Sequence, residues 1–175
     1  MNKGSRAVRD ELLESFGAVR SKSEALCKHL EVEDFIVQTC PDVSPLKWHL
    51  AHTSWFFETF LLKPFLSNYR VFNVRYAELF NSYYNTIGPQ FSRPNRGTLS
   101  RPTVAEILNY RTYVTHALFE LLNQDNQANE EDIFQRIELG VHHEQQHQEL
   151  MLTDIKHCFA HNPLLPAYQA INKLP

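Results

Sequence analysis

The stretch EEDIFQRIELGVHHEQQHQELMLTDIKHCFA, residues 130–160, decides the fold. Ile133, Ile137, Met151 and Ile155 form an apolar arc at helical spacing, and Asn162-Pro163 supplies the stop. One helix from Glu130 to about Ala160 is therefore expected. His143 and His147 lie in its middle, four residues apart and so one above the other on the same face. The pair sits at the edge of the apolar arc. Both imidazoles then point toward the inside edge of a helical assembly, where they can reach one metal ion. Gly140, one turn earlier, is read as leaving room above the pair. His142 is turned about 100° away around the helix and is not expected to join it.

Outward from this helix, the chain reads as three more. Thr103-Val104-Ala105-Glu106 is a capping box, opening a helix over Val104–Leu122. A polar patch, Asn123 to Asn129, separates it from the last helix. Ser44 followed by Pro45 predicts an N-cap and first position, with the helix running to about Leu62 and Lys63-Pro64 stopping it. Val8, Leu12, Leu13, Phe16, Val19, Leu26 and Leu30 recur at helical spacing and predict a first helix over Ser5–Leu30, weakened but not ended by Gly17. Glu31 to Val43 reads as a loop. The aromatic-rich residues 69–86 read as a short helix. Ile87–Pro102, with three prolines, two glycines and three arginines, reads as a long surface loop, of the kind that is usually functional or disordered. With no repeats and no alternating strand pattern, the expected class is all-α, a four-helix bundle with a long arginine- and proline-containing loop between its second and third main helices.

Composition bounds the function. The 175 residues suit one domain with its own core, and 43% hydrophobic with 21% charged residues is ordinary for a globular chain. Lys plus Arg total 17 against 20 acids, a net charge of −3, so no phosphate-neutralising patch is visible and nucleic acid is not an expected partner. The greasiest segment, Trp55–Leu66, is interrupted by Glu58, Lys63 and Pro64, which falls short of a membrane span. Met1–Arg9 is basic with no apolar stretch behind it, unlike a secretory signal. Cys27, Cys40 and Cys158 are odd in number and lack CxxC spacing, which excludes an even disulfide framework and fits a reduced, cytoplasmic chain. Five glycines disfavour a turn-rich all-β fold, and nine histidines raise the question of metal.

A third ligand is available in the second main helix, where His49 and His52 are three residues apart among Trp48, Trp55 and Phe56; only one of them is needed, the other serving as a packed or hydrogen-bonded histidine. Three neutral imidazoles bind Zn, Fe, Ni or Cu without choosing among them. His143-Glu144-Gln145-Gln146-His147 also matches the short zinc-protease pattern, with Glu144 as general base, but that chemistry needs an upstream sheet and no strand is predicted. His29, His116, His157 and His161 have no partner at ligand spacing and are assigned to structure.

Several blocks together resemble one family. Ser44-Pro45-Leu46-Lys47-Trp48-His49-Leu50-Ala51-His52-Thr53 with Trp55-Phe56-Phe57-Glu58, then Phe80-Asn81-Ser82-Tyr83-Tyr84, Leu99-Ser100-Arg101-Pro102-Thr103-Val104, His143-Glu144-Gln145-Gln146-His147-Gln148-Glu149-Leu150 and Leu165-Pro166-Ala167-Tyr168 resemble, in order, the DinB-like N-terminal domain of the ergothioneine-type sulfoxide synthases. The resemblance spans about residues 44–168. It implies a DinB-like bundle holding a mononuclear non-haem iron(II) on His52, His143 and His147, and thus favours His52 over His49. It implies an oxygen-dependent enzyme that joins the sulfur of cysteine or γ-glutamylcysteine to the imidazole of a histidine betaine. By the same resemblance Gln146 hydrogen-bonds near the betaine. Arg93 and Arg96, with Arg101 as a substitute, receive the carboxylates of the thiol, a task that suits a bidentate guanidinium. Glu144 and Glu149 either steady a ligand histidine or are solvated.

Family members continue into a second domain resembling the formylglycine-generating enzyme, which supplies a tyrosine and much of the substrate pocket. Residues 1–165 are accordingly expected to form the metal-binding bundle and 166–175 to begin a linker, with the catalytic partner domain supplied in cis or in trans and the chain alone not fully active. Two other readings stand beside this one. The first is a stand-alone DinB-like thiol S-transferase using zinc or another divalent metal. The second is a non-catalytic binding or assembly module, in which Trp55, Phe56, Phe57 and Phe60 are ordinary core.

Overall fold

A computed structural model of the chain describes residues 3–84, 86–124 and 129–169. Among them every regular element is helical. Helix α1 spans Lys3–Ala25 and α2 spans Leu46–Phe57. A π-turn, Glu58–Leu62, carries α2 into α3, Lys63–Phe65. The single turn α4 covers Tyr76–Leu79, α5 runs over Val104–Leu122 and α6 over Glu130–Ala160. Short 3₁₀ segments occupy Val32–Ile36 and Arg93–Thr98. No helix among the described residues is long and apolar enough to cross a membrane.

The bundle is α1, α2, α5 and α6, and side-chain contacts between them give their directions. Arg9 Nη1 donates to Leu122 O and Arg20 Nε to Thr115 Oγ1, so α1 and α5 are antiparallel. Arg20 meets Glu144, while Val8 and Leu12 share a groove with Glu131 and Phe134, so α1 and α6 are parallel. His49 meets Asp154 and the Phe60 carbonyl meets Arg136, so α2 and α6 are antiparallel. It follows that α2 and α5 run the same way. A parallel pair cannot be joined by a short turn, because the chain must travel back along the bundle before α5 begins. Residues 66–84 and 86–103 make that return and cross the end of the bundle where the histidines lie.

Helix α2 is the central element: all twelve of its residues are buried. Trp55, Phe57, Leu50 and Ala51 meet Phe16 and Val19 from α1, Tyr110, Val114 and Leu118 from α5, and Ile133, Ile137 and Val141 from α6 in one core. Burial of so many large apolar side chains, at roughly 1.5–3 kcal/mol each, is the main stabilising term.

Local structure follows the sequence at some ends and departs at others. The Thr103 capping box forms as expected: Glu106 N–H donates to Thr103 Oγ1 at 3.2 Å and Thr103 N–H to Glu106 Oε2 at 2.7 Å. α5 and α6 have the expected bounds. α1 ends at Ala25 rather than Leu30, because its last turn tightens to i→i−3 bonds, Cys27 to Glu24 and Lys28 to Ala25. Ser44 does not cap α2. Its hydroxyl is engaged by Arg96 at 2.9 Å, and Pro45 occupies the cap position. Lys63-Pro64 does not stop the helix either. In the π-turn Lys63 N–H bonds back to Glu58 O, and the Phe60 carbonyl, which the Pro64 ring would strike in a regular helix, accepts from Arg136 instead. The short helix expected over 69–86 shrinks to α4, and Glu31–Val43 contains a 3₁₀ turn.

Residues 125–128 of the expected polar patch and 170–175 of the expected linker lie outside the described residues. Tyr168 returns to the bundle, its hydroxyl donating to Leu26 O at 2.6 Å and its ring standing edge-on to His29.

Candidate metal centre

His52 is held in a stack built by heptad-like spacing on α2. Trp48, His52 and Trp55 fall on one face, with ring centroids 4.6 Å apart on one side of His52 and 5.5 Å on the other, nearly coplanar in orientation. Its Nδ1 lies 2.6 Å from the carbonyl oxygen of Phe80. A carbonyl only accepts, so Nδ1 carries the proton and Nε2 is left with its lone pair. Trp48 Nε1 donates to Leu79 O at 3.0 Å, so the same helix face also pins α4 and its end.

Across the interface His143 brings Nε2 to 3.2 Å from His52 Nε2, backed by the Phe56 ring at 4.6 Å. The His147 ring lies 4.6 Å from that of His143 and 4.7 Å from that of His52. One nitrogen from each ring falls within 4.8 Å of the others. Two ligand nitrogens each about 2.1 Å from one ion stand roughly 3.0–3.4 Å apart, so the His52–His143 separation suits a shared metal. His143 Nδ1 is buried without a hydrogen-bond partner. Burial holds the His143 imidazole down to about 4, and those of His52 and His147 well below the ordinary range, with neighbouring rings adding to the effect. All three are therefore neutral at pH 7, the state a metal ligand requires. Three neutral, mutually facing imidazoles, two buried and that of His143 half-buried, fit a divalent transition metal.

The return segment closes a cavity of about 280 Å³ over this cluster, lined also by Tyr83, Tyr84, Arg93, Arg96, Gln146 and Leu150. The sequence-designated residues His52, His143, His147, Arg93, Arg96 and Gln146 thus meet on one cavity. Arg96 is buried at 3% exposure, although its loop reads as a surface segment. Its guanidinium lies 3.3 Å over the Trp48 ring and donates to Ser44 Oγ and Ser82 Oγ, while its Nε has no partner. Burial, and after it the nearby Arg93, bring Arg96 down to about 9. Arg93 donates to Tyr83 Oη and to Asp42 O, and its Nε is likewise buried and unpartnered. Neither guanidinium has a carboxylate salt-bridge partner among the described residues. Arg101 does not line the cavity and is exposed.

Glu144 faces away from the cavity. It is 1% exposed and accepts from Arg20 Nη1 at 3.0 Å, Arg111 Nη2 at 2.9 Å and the Ser23 hydroxyl at 2.7 Å. Burial would raise its carboxyl, but Arg20 and Arg111 prevail and hold it at about 2. It is neither solvated nor available as a general base, and among the described residues the zinc-protease reading has no base and no sheet. Glu149 is exposed. Gly140 serves packing: a Cβ there would lie 2.3 Å from the Phe57 ring, so the absent side chain admits Phe57 instead of opening space over the histidines.

His49 is the hydrogen-bonded histidine that the spacing on α2 leaves over, and its partner Asp154 escapes sequence reading. His49 is buried between His147 and Asp154, with Nδ1 2.8 Å from His147 Nδ1 and Nε2 3.0 Å from Asp154 Oδ2. Asp154 lies seven residues after His147 on the same helix face, a spacing that would have flagged it.

The fold and this cluster define a class: a helical bundle that gathers three histidines able to hold a metal ion. The chain belongs to the DinB superfamily, whose family model matches residues 15–151. No curated protein matches the sequence.

Proposed function

We propose that this chain is the iron(II)-binding half of an oxygen-dependent sulfoxide synthase, joining a cysteine-type thiol to the imidazole of a histidine betaine. Supporting this reading is a single juxtaposition: three neutral imidazoles and two guanidiniums without carboxylate partners share one cavity. His52, His143 and His147 would hold the metal. Iron(II) supplies Lewis acidity and electron exchange with dioxygen. The overall reaction balances as thiol plus imidazole plus O₂ giving sulfoxide plus water, one oxygen entering the S–O bond and the other leaving with the S–H and C–H hydrogens.

The residues of this chain bind and orient. Arg93 and Arg96 receive the carboxylate of the thiol substrate; the Trp48 face fixes the plane of Arg96, so little rotamer freedom is lost on binding. Gln146, on the exposed side of the cavity wall, hydrogen-bonds the betaine. Trp48, Trp55 and Phe56 keep water from the imidazole cluster. The rim, with Tyr83 71% exposed and Leu150 beside it, offers a face for a second domain that completes the substrate pocket in cis or in trans.

A metal-dependent thiol S-transferase is the second reading. It is favoured by the presence of metal donors and anion-binding guanidiniums within one bundle, enough to hold an acidic thiol unaided. Anaerobic iron(II) titration of the protein and its His52→Ala and His147→Ala variants tests both. One equivalent in the parent, largely lost in both variants, followed by thiol- and betaine-dependent O₂ uptake with the second domain supplied, supports the synthase. Unchanged binding in the variants refutes the three-histidine site. Tight zinc binding with O₂-independent thiol transfer moves the assignment to the S-transferase.

A further inference from the structure

We infer that His49 and Asp154 are positioning residues of the metal centre, fixing the tautomer of His147 so that its Nε2 is the nitrogen offered to the ion. The inference rests on the proposed metal reading. It adds two residues that do not themselves belong to the three-histidine cluster.

Asp154 Oδ2 accepts the backbone N–H of Ser44 at 2.8 Å, just before α2. A carboxylate has no proton to give, so the 3.0 Å contact with His49 Nε2 requires the proton to be on His49. Neutral imidazole carries one N–H, and His49 Nδ1 is therefore bare. Its partner at 2.8 Å, His147 Nδ1, must then be the donor. His147 is left with a bare Nε2, the form able to bind a metal. With Asp154 ionised and both imidazoles neutral, any other proton placement leaves two lone pairs or two N–H groups facing each other in a buried site, which costs roughly 1–3 kcal/mol.

The three rings are thus treated differently. His52 is oriented by a backbone carbonyl, His147 by the His49–Asp154 pair, and His143 Nδ1 by no partner. The pair also joins two elements: Asp154 on α6 grips both the start of α2 and a histidine one turn into it. This ties the helix carrying His143 and His147 to the helix carrying His52.

The test uses His49→Phe, which keeps a ring but removes the acceptor; His49→Asn, whose side-chain oxygen can replace Nδ1 as acceptor; and Asp154→Asn, which no longer dictates the His49 proton. Imidazole ¹⁵N spectra of the metal-free proteins report the His147 tautomer, and titration with cobalt(II) reports affinity. The expected results are an Nδ1–H tautomer of His147 in the parent and in His49→Asn, and a mixture in the other two. Cobalt(II) binding should weaken roughly 10- to 100-fold in His49→Phe, less in Asp154→Asn, and return largely in His49→Asn. An Nε2–H tautomer in the parent overturns the inference, as does undiminished cobalt(II) binding in both His49→Phe and Asp154→Asn. A parent that binds no metal refutes the proposed function, while the tautomer spectra still decide whether His49 and Asp154 set His147. Should His49→Phe fail to fold, Asp154→Asn carries the same comparison with almost no change of volume.

Discussion

Gly140→Ala separates what the sequence of α6 suggests from what its surroundings permit. In a helix interior this substitution ordinarily stabilises by about 1 kcal/mol, because glycine gives up more backbone freedom on folding. Here the new Cβ would stand 2.3 Å from one Phe57 ring carbon and 2.7 Å from another. Phe57 is fully buried, with Phe16 edge-on at 5.0 Å and Phe56 at 5.9 Å, so its ring has no free volume to enter. Overpacking of this kind costs about 1–3 kcal/mol, and a contact this close belongs at the upper end. The net effect should be a loss of about 1–2 kcal/mol, or a fall in Tm of roughly 2–8 °C for a chain of this size. Urea denaturation and calorimetry measure it. Combining the variant with Phe57→Leu should restore part of the loss, giving a coupling energy above the ~0.5 kcal/mol expected of independent sites. A Gly140→Ala protein as stable as the parent, or strict additivity with Phe57→Leu, would refute the packing argument.

Two further outcomes follow from buried groups. Glu144→Gln leaves Arg20 and Arg111 facing each other with no fully buried carboxylate between them, and should destabilise by about 3–5 kcal/mol in urea denaturation. A loss under about 1 kcal/mol would mean that exposed Glu24, 3.4 Å from Arg111, carries the compensation. Burial pushes the Cys27 thiol up to about 12, so at pH 8 only about one thiol in ten thousand is ionised. In the folded protein iodoacetamide should therefore modify half-buried Cys40 first and spare Cys27 until denaturant is added, as read by peptide mass spectrometry. Equal rates at the two cysteines in the native state would contradict the burial of Cys27.

The sequence by itself determined the elements whose signals are local. The Thr103–Glu106 capping box is two hydrogen bonds within four residues. The apolar arc of α6 is a one-helix periodicity, and both were legible with correct bounds. The four-residue spacing of His143 and His147 was legible for the same reason. What required tertiary structure is whatever depends on a neighbour distant in sequence. Ser44 looks like an N-cap, but Arg96, fifty-two residues later, occupies its hydroxyl. Pro64 looks like a stop, but the π-turn and Arg136 absorb its effect. Glu144 is indistinguishable in sequence from any surface glutamate, and only the parallel packing of α1 on α6, with α5 opposite, brings Arg20 and Arg111 to it. Chain direction was likewise beyond local reading, since apolar periodicity has no sense of up or down. The parallel course of α2 and α5 forces residues 66–84 and 86–103 back along the bundle. That return brings the Phe80 carbonyl to His52 and buries Arg96 against Trp48, turning three spaced histidines into the lining of one open cavity.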